Sequence, residues 1–246
     1  MNVYHITYAP MVRTIYLHFW GCNLSCRACL LKKELYDCHL AETRDSIFNR
    51  TEKRPRMPES FLDLPEVMQI LEKLDISQVV FMGAEPTLDP QLPQLAEALH
   101  REFASHNVLL TNGFNLIDLR HIDEVVFSLK ARTNTLHRHY TGKSNKKALE
   151  NFIKLHQSGT KLRTESIFVP EYIDYTETEN IAKFIAKVDK SIPHRIDAYI
   201  PIGDNPWRRP TPQEIEKAAS IARKYLLNVS CLTGNEDLKY EVVRVF

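Results

Sequence analysis

Short apolar segments that alternate with amphipathic ones are the feature of this 246-residue chain that most limits its fold. Six segments are near-continuous apolar runs with few charges, which is typical of parallel strands covered on both faces. These strands are predicted at Thr14–Trp20, Gln78–Met82, Asn107–Thr111, Glu124–Leu129, Lys161–Val169 and Arg195–Ile200. Because strands that alternate with helices fold as right-handed βαβ units, the pattern predicts one parallel sheet.

The segments between the strands carry apolar residues at helical spacing and begin at residues that cap helices. Asp63 and Glu66 match the capping-box pattern, and Thr211 and Glu214 repeat it. Further helix starts are predicted at Asp89, at Ser144 and at Thr176 with Glu179, and a short helix over Leu116–His121. Six strands are too few for a complete eight-stranded barrel. We therefore predict an α/β fold, a partial (β/α)6 TIM-like barrel with a lateral gap.

Three cysteines lie close together in the loop that follows the first predicted strand. Cys22, Cys26 and Cys29 form the pattern Cys-x3-Cys-x2-Cys. This spacing allows three thiolates to bind one iron–sulfur cluster, whereas such clusters usually have four cysteine ligands. Three ligands leave one iron with an open coordination position, which indicates a redox enzyme with a [4Fe–4S] cluster.

Two other uses of the cysteines have to be considered. A zinc site built on Cys26 and Cys29 needs a second pair of ligands, and Cys38 and His39 are the nearby candidates. A disulfide framework fits poorly, because the chain has only five cysteines and residues 1–13 lack the apolar core of a signal peptide. The cysteine pattern indicates a reducing, cytoplasmic location.

Composition and hydropathy argue against a membrane partner and give no sign of a nucleic-acid partner. No apolar run approaches the ~20 residues that a membrane span requires, so we expect no membrane partner. With 32 Lys and Arg against 31 Asp and Glu, the net charge is +1. A chain with so little net charge has no bulk field that attracts nucleic acid, so a nucleic-acid partner is not expected.

Chemically useful residues follow most of the predicted strands. In parallel βα folds, ligands bind at the carboxyl ends of the strands. The ends read Gly83-Ala84-Glu85-Pro86-Thr87, Thr111-Asn112-Gly113, Ser128-Leu129-Lys130, Val169-Pro170 and Pro201-Ile202-Gly203-Asp204. Each of these segments alone is compatible with a plain turn or a surface residue. Together with the cysteine loop, they predict a ligand-binding rim.

The cysteine pattern and the Gly-x-Glu-Pro strand end together resemble the radical S-adenosylmethionine (SAM) superfamily. Within it, the chain is most similar to the activating enzymes of glycyl-radical proteins, including formate-lyase type enzymes and anaerobic ribonucleotide reductase. The resemblance extends from Tyr16 to about Val229. It includes the Thr-Asn-Gly and Lys130 segments and the stretch Tyr140-Thr-Gly-Lys-Ser-Asn that precedes a predicted helix.

The resemblance implies a role for each residue of the rim. The three cysteines would hold the cluster, and its open iron would chelate the methionine part of SAM. A zwitterionic amino acid needs acceptors at one end and a cation at the other. The implied catalytic residues are Cys22, Cys26, Cys29 and Lys130. The implied SAM contacts are backbone acceptors of Gly83, Ala84 and Glu85, the polar groups of Thr111, Asn112 and Ser128, and the Lys130 ammonium opposite the carboxylate.

The chain departs from the activating enzymes at two positions. Ser128 and Leu110 stand where those enzymes usually or often have acids. Formate-lyase activators use these acids to help hold a monovalent cation. We therefore expect no such cation site here.

The resemblance further implies the reaction and its partners. An electron donor of the flavodoxin or ferredoxin type would reduce the cluster, SAM would be cleaved to methionine and a 5′-deoxyadenosyl radical, and the radical would remove a substrate hydrogen. A protein partner is the favoured substrate, and a small molecule, a peptide or RNA is the alternative. Cys231 is alone downstream, which disfavours enzymes with auxiliary clusters. A non-catalytic module that binds zinc or a cluster is the second alternative.

The whole chain, residues 1–246, is predicted to be a single domain with a core over about residues 14–229. Residues 32–60 form a polar insertion that is expected to pack over the cluster or the substrate entrance. Its Arg50, Lys53, Arg54 and Arg56 are predicted to steer an acidic partner surface.

Overall fold

A single sheet with helices on one side forms the described part of the chain. The computed structural model describes residues 1–32, 37, 39–40, 57–201, 204–237 and 239–246. Its strands are β1 Val3–Ala9, β2 Thr14–Phe19, β3 Gln78–Gly83, β4 His106–Thr111, β5 Glu124–Ser128, β6 Leu162–Phe168, β7 His194–Ala198, β8 Val229–Leu232 and β9 Val243–Arg244. Its α-helices are α1 Leu64–Leu71, α2 Leu92–Phe103, α3 Asn134–Thr141, α4 Lys146–Gln157, α5 Tyr175–Asp189 and α6 Pro212–Ala222.

The order of the strands shows an open, mostly parallel sheet. Within the described ranges the order is β8-β7-β6-β5-β4-β3-β2-β1-β9. Strands β2 to β8 are parallel to one another, and β1 is antiparallel to both of its neighbours. The six predicted strands correspond to β2–β7, which confirms the α/β class and the partial barrel. The cysteine loop follows β2, the second strand of the structure. The prediction placed it after the first strand, because β1 was not among the predicted strands.

The two faces of the sheet have different neighbours. Alternate residues such as Leu17, Phe81 and Phe127 pack in one core with residues of the helices. The opposite face, here called the inner face, carries a smaller apolar cluster of Tyr16, Val80, Val108 and Val126. The helices of the described ranges therefore cover one face, whereas the sequence pattern predicted cover on both. Among these residues, no helix packs on the inner face, which leaves room there for polar side chains and ligands.

Both predicted capping boxes are present. The Asp63 carboxylate accepts from Glu66 N at 2.9 Å, and the Glu66 carboxylate accepts from Asp63 N at 2.8 Å. Thr211 and Glu214 make the same reciprocal pair at the start of α6. These contacts satisfy backbone N–H groups that otherwise lack partners in the first helical turn.

Four details of the predicted helices differ from the structure. Helix α2 has Gln91 as its cap and not the predicted Asp89. Helix α5 begins after Asp174, whose carboxylate accepts from Thr176 N at 2.9 Å, so the cap lies two residues before the predicted one. Helix α4 has Asn145 as its cap and not Ser144. The short helix over Leu116–His121 is absent. There the Asp118 carboxylate accepts from Arg120 N at 3.1 Å, a local turn that competes with helix formation.

Among the strands and α-helices of the described ranges, the prediction missed β1, α3, β8 and β9. Strand β1 is hidden because polar residues such as His5 and Thr7 alternate with its apolar ones. Helix α3 has the polar sequence NTLHRHYT and buries only His137, Tyr140 and Thr141. Elements of this kind gain their stability from tertiary packing more than from an apolar pattern.

Several predictions fall on residues outside the described ranges. They include Cys38, Ile202, Gly203 and the basic residues Arg50, Lys53, Arg54 and Arg56. Of the predicted insertion, Asp37 and Leu40 are described and buried, and the ring of His39 stacks on Tyr16 of the inner face. No helix in the described ranges combines the length and apolar character that crossing a membrane requires.

Gly83 is expected to be irreplaceable at the end of β3. Its φ is +100°, and an added Cβ would lie 2.7 Å from both the backbone N and O of Phe19 on β2. Gly159, at φ +79° with no atom within 4 Å of its added Cβ, is the matched control. Gly159→Ala should lower the free energy of unfolding by ~1–2 kcal/mol through backbone strain alone. Gly83→Ala should lower it clearly further, because β2 and β3 must separate. Urea unfolding followed by circular dichroism measures both, and equal losses would contradict the close-approach argument.

Candidate functional site

The three cysteines of the loop after β2 are free thiols. Cys22 is exposed, and Cys26 and Cys29 are partly buried. The Cys22 sulfur accepts from Leu24 N at 3.4 Å, and Cys29 N donates to Cys26 O at 3.3 Å. Burial raises the pKa of the Cys22 thiol, and metal coordination removes such a proton. The loop therefore presents three soft ligands in one short, folded segment.

The carboxyl end of α3 fixes this loop in place. Ser25 N donates to Thr141 O, and Arg27 N donates to Tyr140 O, both at 2.9 Å. These carbonyls belong to the last turn of a helix, where carbonyl groups have no partner within the helix. The segment Tyr140–Asn145, recognised in the sequence only by resemblance, thus holds the backbone on both sides of Cys26.

Glu85 ties the ends of β3 and β4 together. Its side chain is 1% exposed and accepts from Thr111 Oγ1 at 2.6 Å, from Thr87 Oγ1 at 2.5 Å and from Asn112 N at 2.8 Å. Its backbone N donates to Gly21 O at 3.0 Å, next to the first cysteine. The Glu85 carboxylate therefore links the strand ends of the rim. Its oxygens already accept hydrogen bonds from groups of the protein.

Of the two predicted polar contacts after β4, Asn112 is the one at the cysteine loop. Its Nδ2 lies 2.8 Å from Asn23 Oδ1 and 3.7 Å from Cys22 Sγ. The Thr111 hydroxyl donates to Glu85 and accepts from Gly113 N at 3.1 Å. Both roles in ligand binding stay predictions, and the geometry favours Asn112.

Lys130 places a positive charge near all three cysteines. Burial lowers the pKa of its ammonium, but the negative charges of the three thiolates and of Glu165 raise it above the ordinary value. Among the described residues, none forms a hydrogen bond or ion pair with this ammonium at contact distance. A partly buried cation without a partner among the described residues fits a ligand carboxylate, and the neighbouring thiols fit an iron–sulfur cluster.

A row of polar side chains crosses the inner face below Lys130. Ser128 Oγ donates to Glu165 at 2.5 Å, and Arg195 bridges Glu165 at 2.8 Å and Asp197 at 2.7 Å. Burial raises the pKa of the Asp197 carboxyl, although Arg195 beside it lowers it. The sequence analysis included Ser128 among the candidate site residues but did not identify Glu165, Arg195 or Asp197. The signal was present as charges at alternate positions within otherwise apolar strands.

The alternative zinc site with Cys38 and His39 stays a prediction, because Cys38 lies outside the described ranges, as do two of the four residues after β7. The His39 ring lies 3.0 Å from Asp37 Oδ1 on the inner face and pairs with that carboxylate. The described residues bring the cysteine loop together with Gly83–Glu85, Asn112 and Lys130.

Comparison with known proteins gives the family of this architecture. The family model described as the radical SAM superfamily matches residues 16–185, more than half of the chain. A protein of Methanocaldococcus jannaschii that carries the provisional name glycyl-radical enzyme activating enzyme is 30% identical over 234 residues. That alignment covers 92% of this chain and 83% of the relative.

Solved structures share the fold at low sequence identity. A domain of the pyruvate-formate lyase-activating enzyme from Bacteroides vulgatus has a TM-score of 0.54 and 17% identity, covering 63% of this chain and 99% of that domain. SuiB from Streptococcus suis, solved with SAM bound, has a TM-score of 0.63 and 16% identity, covering 86% of this chain and 47% of SuiB. SuiB with its precursor peptide SuiA bound has a TM-score of 0.59 and 15% identity, covering 86% of this chain and 46% of SuiB. The family match, the close relative and the shared fold agree, and the chain belongs to the radical SAM superfamily.

Proposed function

We propose that Cys22, Cys26 and Cys29 hold a [4Fe–4S] cluster and that Lys130 binds the carboxylate of SAM beside it. The observation that carries this proposal is the position of the Lys130 ammonium, which is partly buried and lies close enough to all three thiolates for their charges to raise its pKa. A desolvated ammonium with no ion-pair partner among the described residues is costly, and a carboxylate ligand removes that cost.

The neighbouring strand ends would complete the SAM site. Backbone carbonyls at Gly83, Ala84 and Glu85 would accept from the amino group, and Asn112 would reach the ligand from the cysteine loop. Thr111 and Ser128 would act through Glu85 and Glu165, to which their hydroxyls are bonded. The chain itself binds and orients SAM and limits the access of water.

When bound, the reduced cluster would supply one electron to the SAM sulfonium, the sulfur–C5′ bond would break, and the resulting 5′-deoxyadenosyl radical would take a hydrogen atom from the substrate. A flavodoxin- or ferredoxin-type protein would supply that electron. We further propose that the substrate is a glycine of a protein partner. Three findings support this: the provisional name of the M. jannaschii relative, the peptide bound to SuiB, and the open sheet of this chain.

The test is an anaerobic incubation of the reduced, cluster-loaded protein with SAM and the products of neighbouring genes. The expected result is consumption of SAM together with a doublet glycyl signal in electron paramagnetic resonance, present only when the partner is added. SAM cleavage with rapid turnover of a small molecule or RNA, and no radical or modification on any protein, would overturn the protein-partner part. A protein that binds metal but never cleaves SAM would overturn the whole proposal.

A further inference from the structure

Two histidines and a carboxylate, none of them part of the cysteine loop, meet on the inner face. His5 on β1 and His18 on β2 are direct cross-strand partners, so both side chains lie on the same face. Asp37, from the segment after the cysteine loop, places Oδ2 3.3 Å from His5 Nε2 and 3.2 Å from His18 Nε2. The three donor atoms all lie within 4.8 Å of one another.

The His18 imidazole is buried with one nitrogen unsatisfied. The residue is 1% exposed, and its Nε2 has no aligned hydrogen-bond partner among the described residues. The carboxylate oxygen at 3.2 Å is close enough but does not lie in line with an N–H bond. A buried polar atom left unsatisfied costs ~1–3 kcal/mol. A ligand between the two groups would remove that cost.

The hydrogen bond on the far side of His5 leaves its Nε2 free to coordinate. His5 Nδ1 lies 2.7 Å from Phe246 O, and because a carbonyl only accepts, Nδ1 carries the proton. In the neutral ring, Nε2 then presents a lone pair toward the Asp37 carboxylate. A lone pair facing a carboxylate is repulsive unless a cation lies between them. Outer partners of this kind orient metal-binding histidines in known sites.

Hydrogen bonds from neighbouring groups also orient the Asp37 carboxylate. Its Oδ1 accepts from His39 N at 2.8 Å and pairs with His39 Nδ1 at 3.0 Å. Its Oδ2 accepts from Thr7 Oγ1 at 3.0 Å. These contacts orient Oδ2 toward the Nε2 atoms of His5 and His18.

We propose that His5 Nε2, His18 Nε2 and Asp37 Oδ2 bind a divalent transition-metal ion of the Zn²⁺ type. Tetrahedral zinc with ligands at ~2.0–2.1 Å requires donor atoms roughly 3.3 Å apart. The two nitrogen–oxygen separations of 3.3 and 3.2 Å match that requirement. The described part of the chain offers three protein ligands, and a site of three leaves a position open for a water or substrate oxygen, as in catalytic zinc sites and in sites with two histidines and one carboxylate. The proposal uses no cysteine and stands independently of the proposed function.

Zinc bound to the cluster-loaded protein tests this site directly. We expect one Zn²⁺ per chain in addition to the iron of the cluster. X-ray absorption at the zinc edge should show nitrogen and oxygen ligands at ~2.0–2.1 Å and no sulfur at ~2.3 Å. Sulfur in the zinc shell would assign the ion to cysteines and overturn the proposal. Absence of stoichiometric binding would overturn it too, and would leave an Asp37–histidine ion pair with a shared proton.

Zinc affinities of variants at the proposed ligands test where the ion binds. Asp37→Asn and His5→Gln should each weaken Zn²⁺ binding at least as much as the roughly 10–100-fold typical of losing an outer partner. His121→Gln is the matched control, because His121 contacts His100 in a separate histidine cluster. Circular dichroism establishes that each variant is folded. His18→Gln adds a further test, and if it fails to fold, the other two variants and the wild-type absorption spectrum still decide. Unchanged zinc affinity in folded Asp37→Asn and His5→Gln proteins would overturn the proposal.

Discussion

Replacement of any one of Cys22, Cys26 and Cys29 by alanine is expected to abolish retention of the cluster and cleavage of SAM. The proposed cluster has only three protein ligands, fewer than the usual four, so the loss of one leaves two. Iron content and visible absorption after anaerobic reconstitution measure retention, and release of 5′-deoxyadenosine measures cleavage. The backbone hydrogen bonds of the loop to Tyr140 and Thr141 do not involve these side chains, so the variants should remain folded.

Two other cysteines serve as controls. Cys231 lies on β8, and its thiol donates to Glu216 at 3.6 Å, so Cys231→Ala should keep the iron content of the wild type. Cys38→Ala should do the same. Loss of iron in Cys38→Ala would indicate a cluster with four cysteine ligands and no open iron, and the radical mechanism would then fail.

Lys130→Ala is expected to weaken SAM binding sharply while the absorption of the cluster stays unchanged. Removal of one partner of a buried charge pair costs ~2–5 kcal/mol, which corresponds to roughly 30-fold to several thousandfold in the dissociation constant. Equilibrium dialysis of SAM against the cluster-loaded protein measures this change. Lys146→Ala, on the exposed start of α4, is the control and should bind SAM as the wild type does. Unaltered SAM affinity in folded Lys130→Ala would show that the carboxylate is bound elsewhere.

Most of the fold could be predicted because its signals are local. The apolar runs of β2–β7 and the capping boxes at Asp63 and Thr211 depend on residues a few positions apart. The predicted helix over Leu116–His121 was wrong because the Asp118 side chain binds the backbone of a turn. Strand β1 was missed because polar residues interrupt its apolar pattern, and helix α3 because its sequence is mostly polar.

The candidate site was predictable in part. The cysteine spacing and the strand ends placed Glu85, Asn112 and Lys130 on the same rim, where the structure has them. The resemblance could not reveal that the Glu85 carboxylate accepts hydrogen bonds from Thr111, Thr87 and Asn112 N. Nor could it reveal that Glu165 and Arg195 continue the polar row.

By itself, the sequence determined the order of strands and helices, the spacing of the cysteines and the residues at each strand end, since these follow from neighbours along the chain. Tertiary structure alone decided which face the helices leave open and which distant side chains share it. His5, His18 and Asp37 meet because β1 pairs with β2 and Asp37 lies against the two histidines on the inner face. Contacts of this kind depend on strand register and on burial, and no spacing within the sequence encodes either one.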